Sequence, residues 1–125
     1  MKNGFVVLFL IILLSGCEVL NTNNTITLSS LEAQFTQIQE FVKSGNCDEA
    51  SSCNFMAIGS KACGGPSAYI IFSENVDVEA LKKMVDRYTE DQRTYNIEIN
   101  VISDCSLVNP PQNIDCQDGT CVEIN

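Results

Sequence analysis

The sequence predicts a small α+β domain, with an antiparallel sheet of about four to five strands, two helices and three disulfides as staples. Two segments place apolar residues three to four positions apart, as amphipathic helices do. Several shorter segments are continuously apolar or alternate apolar and polar residues, as strands do. The links between them are short, which favours antiparallel pairing. Six cysteines supply the cross-links that a domain of about 95 residues commonly uses.

The first helix is predicted to begin at Ser29. Ser29 and Glu32 have the spacing of a capping box, in which each side chain satisfies a backbone N–H at the helix start. Apolar residues then recur along one face through residues 31–42. Lys43 near the end and Gly45 just beyond it indicate where the helix stops.

Two buried strands and a second helix are predicted next. Residues 55–58 and 68–72 are short apolar runs bounded by turn-forming residues. Residues 59–66 between them read GSKACGGP, a loop whose glycines permit unusual backbone angles. The second helix is predicted from its N-cap Asp77 to Asn96, because its apolar residues follow one stripe.

The remaining strands are predicted in the last thirty or so residues. Residues 97–102 alternate apolar and polar side chains, which predicts a strand with one solvent-facing side. Pro110 and Pro111 predict a rigid loop, because proline fixes φ and donates no N–H. Residues 114–116 and 120–124 flank Asp118-Gly119, a strong signal for a hairpin with a two-residue turn.

The first sixteen residues have the features of a secretory signal. Lys2 is followed by an unbroken apolar run over residues 5–14, and Ser15 and Gly16 are the small residues expected at a cleavage site. The run is too short to span a bilayer, which requires about 20 apolar residues. The sequence therefore predicts export of everything that follows.

The end of this signal resembles a known motif. Leu14-Ser15-Gly16-Cys17 is similar to the lipobox of bacterial lipoproteins, and the resemblance covers residues 1–17. It implies removal of residues 1–16 and attachment of fatty chains such as palmitate through Cys17. Residues 17–28 are then expected to form the lipidated N-terminus and a flexible tether, and residues 29–125 the stapled domain. The alternative is an ordinary cleaved signal that happens to end near a cysteine.

The cysteine count agrees with the lipobox. The chain has seven cysteines, an odd number that needs explaining in an exported protein. Setting Cys17 aside leaves an even set that fits three disulfides, as expected outside the cytoplasm. These six are Cys47, Cys53, Cys63, Cys105, Cys116 and Cys121.

Two pairings of the six cysteines stay open at this point, among fifteen that are formally allowed. The favoured pairing joins Cys63 to Cys105 and connects the cysteines at 47 and 53 with those at 116 and 121. The rival closes a bridge within the hairpin, between 116 and 121, because the Asp118-Gly119 turn places them opposite each other. That bridge would leave the cysteines at 47 and 53 to each other.

Composition excludes several classes of function. The formal net charge is −9, and removal of Lys2 with the signal makes the mature chain more negative, which argues against nucleic acid and anionic lipid as partners. The chain has no histidine, the commonest general base and zinc ligand. It has no Cys-x-x-Cys redox motif either. We therefore expect no cofactor, no metal and no enzyme, with a hydrolase based on paired carboxylates as a weaker alternative.

The loop at residues 59–66 is the most distinctive segment. This segment, extended to Tyr69, resembles a group of small secreted or lipid-anchored bacterial proteins over roughly residues 47–122. Further matching residues are Ser73, Tyr88, Arg93, Ser103-Asp104-Cys105, Pro110 and Gly119-Thr120-Cys121. The resemblance implies a shared stapled fold and carries no activity with it.

Two interpretations of this loop compete. In the first, the glycines and Pro66 turn the chain while Cys63 pins it. In the second, the loop is a binding loop made by Lys61, Ala62, Gly64, Gly65 and Pro66, with Lys61-Ala62 protruding beside a disulfide. A loop pinned in its bound shape lowers the ordering cost of association. The second interpretation would suit an inhibitor of an extracytoplasmic hydrolase such as a protease.

The sequence as a whole predicts a non-enzymatic binding or structural module in the bacterial cell envelope, acting on a protein or ligand that the residues do not identify. Its membrane partner is the bilayer that receives the lipid on Cys17, which is the outer membrane if the cell is Gram-negative.

Overall fold

The structure, a computed structural model, describes residues 25–124. The predicted signal peptide at residues 1–16 and the predicted lipid site Cys17 lie outside the described residues. Among residues 25–124, no helix combines the length and the apolar character needed to cross a membrane.

Two helices and four strands make up the described part of the chain. They are α1 (Leu28–Lys43), a 3₁₀ turn (Ala50–Ser52), β1 (Cys53–Ile58), β2 (Ala68–Ser73), α2 (Val78–Glu98), β3 (Ile114–Gln117) and β4 (Thr120–Glu123). The predicted α+β class is confirmed. The prediction of one sheet of four to five strands is wrong, because β1 pairs only with β2 and β3 only with β4.

Helix α1 begins earlier than predicted. Thr27 is its N-cap: the Thr27 hydroxyl accepts from the Ser30 N–H at 3.1 Å, and the Ser30 hydroxyl accepts from the Thr27 N–H at 3.0 Å. The predicted Ser29–Glu32 box is therefore wrong, because Ser29 already lies in the first turn. Ile26 packs against the core, so the last residues assigned to the tether lie against the domain.

The two helices pack antiparallel. The Gln34 side-chain amide donates to the Asp91 carboxylate at 2.8 Å, and the rings of Phe35 and Tyr88 lie 5.6 Å apart. Farther along α1, Ile38 lines a cavity with Met84, which lies earlier in α2. The start of α1 and the end of α2 therefore lie at the same end of the domain.

The core lies between the helix pair and the β1–β2 sheet. The two strands pair in antiparallel register, from Cys53 opposite Ser73 to Ile58 opposite Ala68. Their inward residues meet the apolar stripes of both helices, and the cluster draws only on residues 26–95. Its buried members are Leu31, Ile38, Ile58, Ile70, Phe72, Val76, Leu81, Val85 and Tyr88.

The β3–β4 hairpin has the turn that the sequence predicts. Asp118 and Gly119 both have positive φ, 50° and 78°, and Cys116 lies opposite Cys121 across the ladder. The two cysteines do not bond to each other.

Three disulfides follow the favoured pairing, and the rival pairing is wrong. They join Cys47 to Cys116, Cys53 to Cys121 and Cys63 to Cys105. The hairpin is thus fastened to the start of β1 and to the segment before it through side chains. Its backbone contact with the rest of the fold is the bond from the Cys47 N–H to the Gly119 carbonyl oxygen, outside both ladders, so the hairpin forms a second sheet beside the first.

The strand predicted at residues 97–102 is wrong. Helix α2 continues to Glu98, because Tyr95 packs against the core and the Asn96 side chain donates to the Ser60 carbonyl oxygen at 2.7 Å. Asn100 then takes a left-handed conformation, with φ 51°, and ends the helical path. Alternation alone does not make a strand here: residues 97 and 98 belong to the helix, and residues 99–102 pair with none of the described strands.

Candidate functional site

The loop at residues 59–66 is seated on the second half of α2. The Gly59 N–H donates to the Thr89 hydroxyl at 2.9 Å, and the Ser60 N–H donates to the Gln92 side-chain oxygen at 2.7 Å. With the Asn96 contact to Ser60, three turns of one helix face hold the start of the loop. Sequence reasoning found the loop but not the helix face beneath it.

The tip of the loop is fixed by its own backbone. The Lys61 N–H donates to the Gly65 carbonyl oxygen at 3.0 Å, and the Gly64 N–H donates to the Lys61 carbonyl oxygen at 2.9 Å. Gly64 and Gly65 take positive φ values of 94° and 79°, which glycine adopts without steric cost. The Cys63–Cys105 bridge ties this tip to the segment after α2.

Lys61 does not protrude, so that prediction is wrong. Its side chain is only 15% exposed, and its ammonium lies 2.8 Å from the Asp104 carboxylate. The same ammonium donates to the Ser106 carbonyl oxygen at 2.6 Å and to the Ser106 hydroxyl at 3.0 Å. The charge of Lys61 is therefore used within the protein. Hydrolase inhibition through the loop stays a prediction, and Lys61 gives it no support.

Asp104 acts as a turn residue. Its carboxylate accepts from the Ser106 N–H at 3.1 Å and from the Ser106 hydroxyl at 2.8 Å. The hydrogen bond from the Lys61 ammonium, followed by those from Ser106, holds the pKa of Asp104 well below its ordinary value. The carboxylate is thus a fixed anion at neutral pH, which suits anchoring and not proton transfer.

Two cavities flank the loop, and Arg93 lines both. The larger, about 460 Å³, lies between the loop and the end of α2 and is bordered by Lys61, Ala62, Asn96 and Ile97. The smaller, about 310 Å³, lies on the other side and is bordered by Pro66 and Thr89, among others. We call the larger one the Arg93 cleft.

The Arg93 cleft offers hydrogen-bond donors beside aliphatic carbon. One terminal nitrogen of Arg93 lies 2.9 Å from the Glu90 carboxylate, and the side chain is largely exposed. Because guanidinium carries five N–H donors, several remain for a ligand. Asn100 adds an amide, and Ile97 and Val101 add apolar surface. The cleft suits a ligand that combines a carboxylate or carbonyl acceptor with a small apolar part.

Sequence reasoning missed this cleft although it named Arg93 among the residues of the resemblance. The spacing of Arg93, Asn96 and Ile97 was the available signal, because residues three and four apart lie on one helix face. The predicted strand at 97–102 hid that signal by ending the helix too early.

In the described part of the chain, the cluster of Cys47, Cys53 and Cys121 is not a metal site. The sulfur atoms of Cys47, Cys53 and Cys121 lie within 4.8 Å of one another. Each of them is part of a disulfide, whereas metal ligation requires a thiolate. The cluster belongs to the two disulfides that join the hairpin to the rest of the fold.

Comparison with known proteins adds no relative. A scan against protein-family models finds no match, and searches of the curated proteins and of the solved structures find none either.

Proposed function

We propose that this protein is a bacterial lipoprotein, held at the outer side of a membrane by lipid on Cys17, whose stapled domain is a non-enzymatic binding module. The lipobox at Leu14-Ser15-Gly16-Cys17 supports the anchor. Three disulfides support a location outside the cytoplasm, where such bonds persist.

The Arg93 cleft is the observation that carries the binding role. Its walls are held from both sides: the loop is bonded to α2 and cross-linked through Cys63, and Lys61 is fixed by Asp104. A wall that is already ordered loses little conformational freedom when a ligand binds. The Lys61 ammonium is fully engaged by Asp104 and Ser106, whereas Arg93 uses one terminal nitrogen for Glu90 and keeps other N–H donors for a ligand. We propose it as the main contact to an acidic or carbonyl-bearing ligand.

Site-specific photo-crosslinking in intact cells tests the binding role. A photoreactive residue at Ala62, on the rim of the cleft, should give a discrete adduct, and Arg93→Ala should remove most of it. The matched control places the same residue at Lys83, on the solvent face of α2. Identical adducts from both positions, or no effect of Arg93→Ala, would rule out the cleft as the binding site.

The anchor has its own test. Intact-mass measurement of the protein purified from membranes should show the chain starting at Cys17 with a diacylglyceryl group attached. Cys17→Ser should release the domain from the membrane fraction without changing its disulfides. An unmodified Cys17 in membrane-purified protein would contradict the lipoprotein assignment.

A further inference from the structure

Four large aliphatic side chains that follow Tyr95, the last residue of the core in the sequence, are exposed to solvent. Ile102 is 96% and Leu107 92% exposed, and Ile97 and Ile99 are more than half exposed. We call these four residues, with the exposed Leu28 at the start of α1, the aliphatic end. Exposed aliphatic groups in one region mark an interaction surface more often than scattered ones do.

The aliphatic end lies where the N-terminal segment enters the domain. Gln34 of α1 bonds to Asp91 of α2, and the helices are antiparallel. Seven residues back from Gln34 is Thr27, and seven residues forward from Asp91 is Glu98. At 1.5 Å of rise per residue, about 10 Å in each direction, these two residues lie at the same level. The segment after α2 stays near this end, because Asp104 and Ser106 hold Lys61 of the loop on α2.

This end is also poor in charge. Residues 94–114 carry only Glu98 and Asp104, and the latter is paired with Lys61. Residues 25–31 carry no charge at all. The chain as a whole has 23 ionisable acidic and basic side chains (Lys, Arg, Asp and Glu) in 125 residues, 16 of them acidic. The charged side chains are therefore concentrated in the rest of the chain and are sparse at this end.

We propose that the aliphatic end rests on the lipid bilayer beside the anchor. This inference rests on the proposed lipidation of Cys17. Thr25 follows Cys17 by only eight positions, so the covalent chain can hold them at most about 28 Å apart. The end of the domain at which this segment enters is therefore kept at the membrane.

Insertion of aliphatic groups fits this surface better than electrostatic binding. Moving aliphatic groups from water into lipid is favourable, and the aliphatic end supplies several such groups. The net charge of the chain is −9, so anionic headgroups would repel it. Contact should therefore occur on zwitterionic lipid and be insensitive to salt.

Tryptophan fluorescence tests the contact, because the natural chain contains no tryptophan. The lipidated protein is reconstituted into phosphatidylcholine vesicles whose acyl chains carry bromine, a short-range quencher. We expect Ile102→Trp to lose most of its emission and to shift to shorter wavelength. Leu107→Trp provides a second reporter, and both positions are solvent-exposed, so the fold should be kept.

The matched control is Glu79→Trp, at the opposite end of the helix pair. It should stay unquenched in the same vesicles. Quenching equal to that of Ile102→Trp would overturn the proposed orientation. A blue shift of Ile102→Trp without bromine quenching would mean that protein, such as a second copy of the chain, covers the surface, and would overturn the proposal.

Mass measurement on the same sample separates this inference from the anchor. Lipid on Cys17 together with unquenched emission from both reporters overturns the membrane contact and leaves the lipoprotein assignment intact. An unmodified Cys17 overturns the assignment itself, and the contact as proposed falls with it.

Discussion

Gly59 and Gly65 show how surroundings, more than backbone angle, decide what a residue tolerates. Their φ values are nearly the same, 75° and 79°. A Cβ at Gly65 would meet nothing within 4 Å, whereas a Cβ at Gly59 would run into the side chains of Ser67 and Gln92. Alanine substitutions at the two positions therefore separate the cost of backbone strain, which both share, from the cost of steric conflict, which arises only at Gly59.

We expect Gly65→Ala to lower the free energy of unfolding by about 1–2 kcal/mol, the cost of a left-handed backbone for a residue with a Cβ. Gly59→Ala should cost a further 1–3 kcal/mol or so, because the packed side chains must move. Urea denaturation of both variants measures the difference. Equal losses would show that Gln92 and Ser67 yield freely.

The Asp104 carboxylate should make the stability of the folded protein depend on pH. Its folded pKa is lowered from the ordinary 3.8, mainly by the Lys61 ammonium. A lowered pKa means that the carboxylate stabilises the native state above the unfolded value, and that this contribution disappears as the pH falls through the folded value. The stabilisation should thus be complete at pH 6 and fade below about pH 4.

Asp104→Asn tests this dependence. At pH 6 the variant should be less stable than the wild type. The difference should shrink at pH 3, because Asp104 of the unfolded wild-type chain then takes up protons whereas its lowered folded pKa keeps the native carboxylate ionised. Denaturation at both pH values measures it, with Asp48→Asn as an exposed control. A difference that is the same at both pH values would contradict the ionic role of Asp104.

At the scale of elements, local signals predicted the helices, the hairpin and the position of most strands. Periodicity found α1 and α2 because their apolar stripes face one core. The Asp118-Gly119 turn was predictable because its two positive φ values favour those residues. Residues 97–102 were not predictable, because their alternation is overridden by the contact of Asn96 with a loop 36 positions away. The direction of Lys61 depends equally on a distant partner, Asp104.

The start of α1 offers a test at this scale. Thr27→Ala removes the hydroxyl that accepts from the Ser30 N–H and should cost about 1 kcal/mol, as loss of an N-cap usually does. Ser29→Ala leaves that bond in place and should change stability by less than about 0.5 kcal/mol. Thermal unfolding of the two variants decides whether Thr27 or Ser29 caps the helix. A larger loss in the Ser29 variant would restore the start predicted from the sequence.

At the scale of the whole molecule, the fold consists of a core and an attached hairpin. The hydrophobic cluster takes residues from both helices and from β1 and β2, and none from β3 or β4. The hairpin lies against β1, β2 and the 3₁₀ turn, and it is joined to them by the Cys47–Cys116 and Cys53–Cys121 bridges and by a backbone bond from the Cys47 N–H to the Gly119 carbonyl oxygen at 3.0 Å. A two-stranded hairpin is marginally stable alone, so we expect these bridges to decide whether it stays ordered.

Removal of one bridge should have a limited effect. If Cys47 and Cys116 are both changed to serine, Cys53–Cys121 still joins the same two segments. The lost bridge then closes a loop of only about a dozen residues, worth about 3 kcal/mol in the chain-entropy account. Hydrogen exchange should show the hairpin amides still protected in this variant.

Removal of both bridges should release the hairpin while the core persists. With all four cysteines changed to serine, we expect the amides of β3 and β4 to exchange as in a mobile segment. The amides of α2 around Leu81 and Val85, which lie in the core, should keep their protection at low temperature. The single-bridge variant is the control for the serine substitutions themselves. Persistent protection of β3 and β4 would mean that packing holds the hairpin, whereas simultaneous loss in α2 would mean that core and hairpin unfold as one cooperative unit.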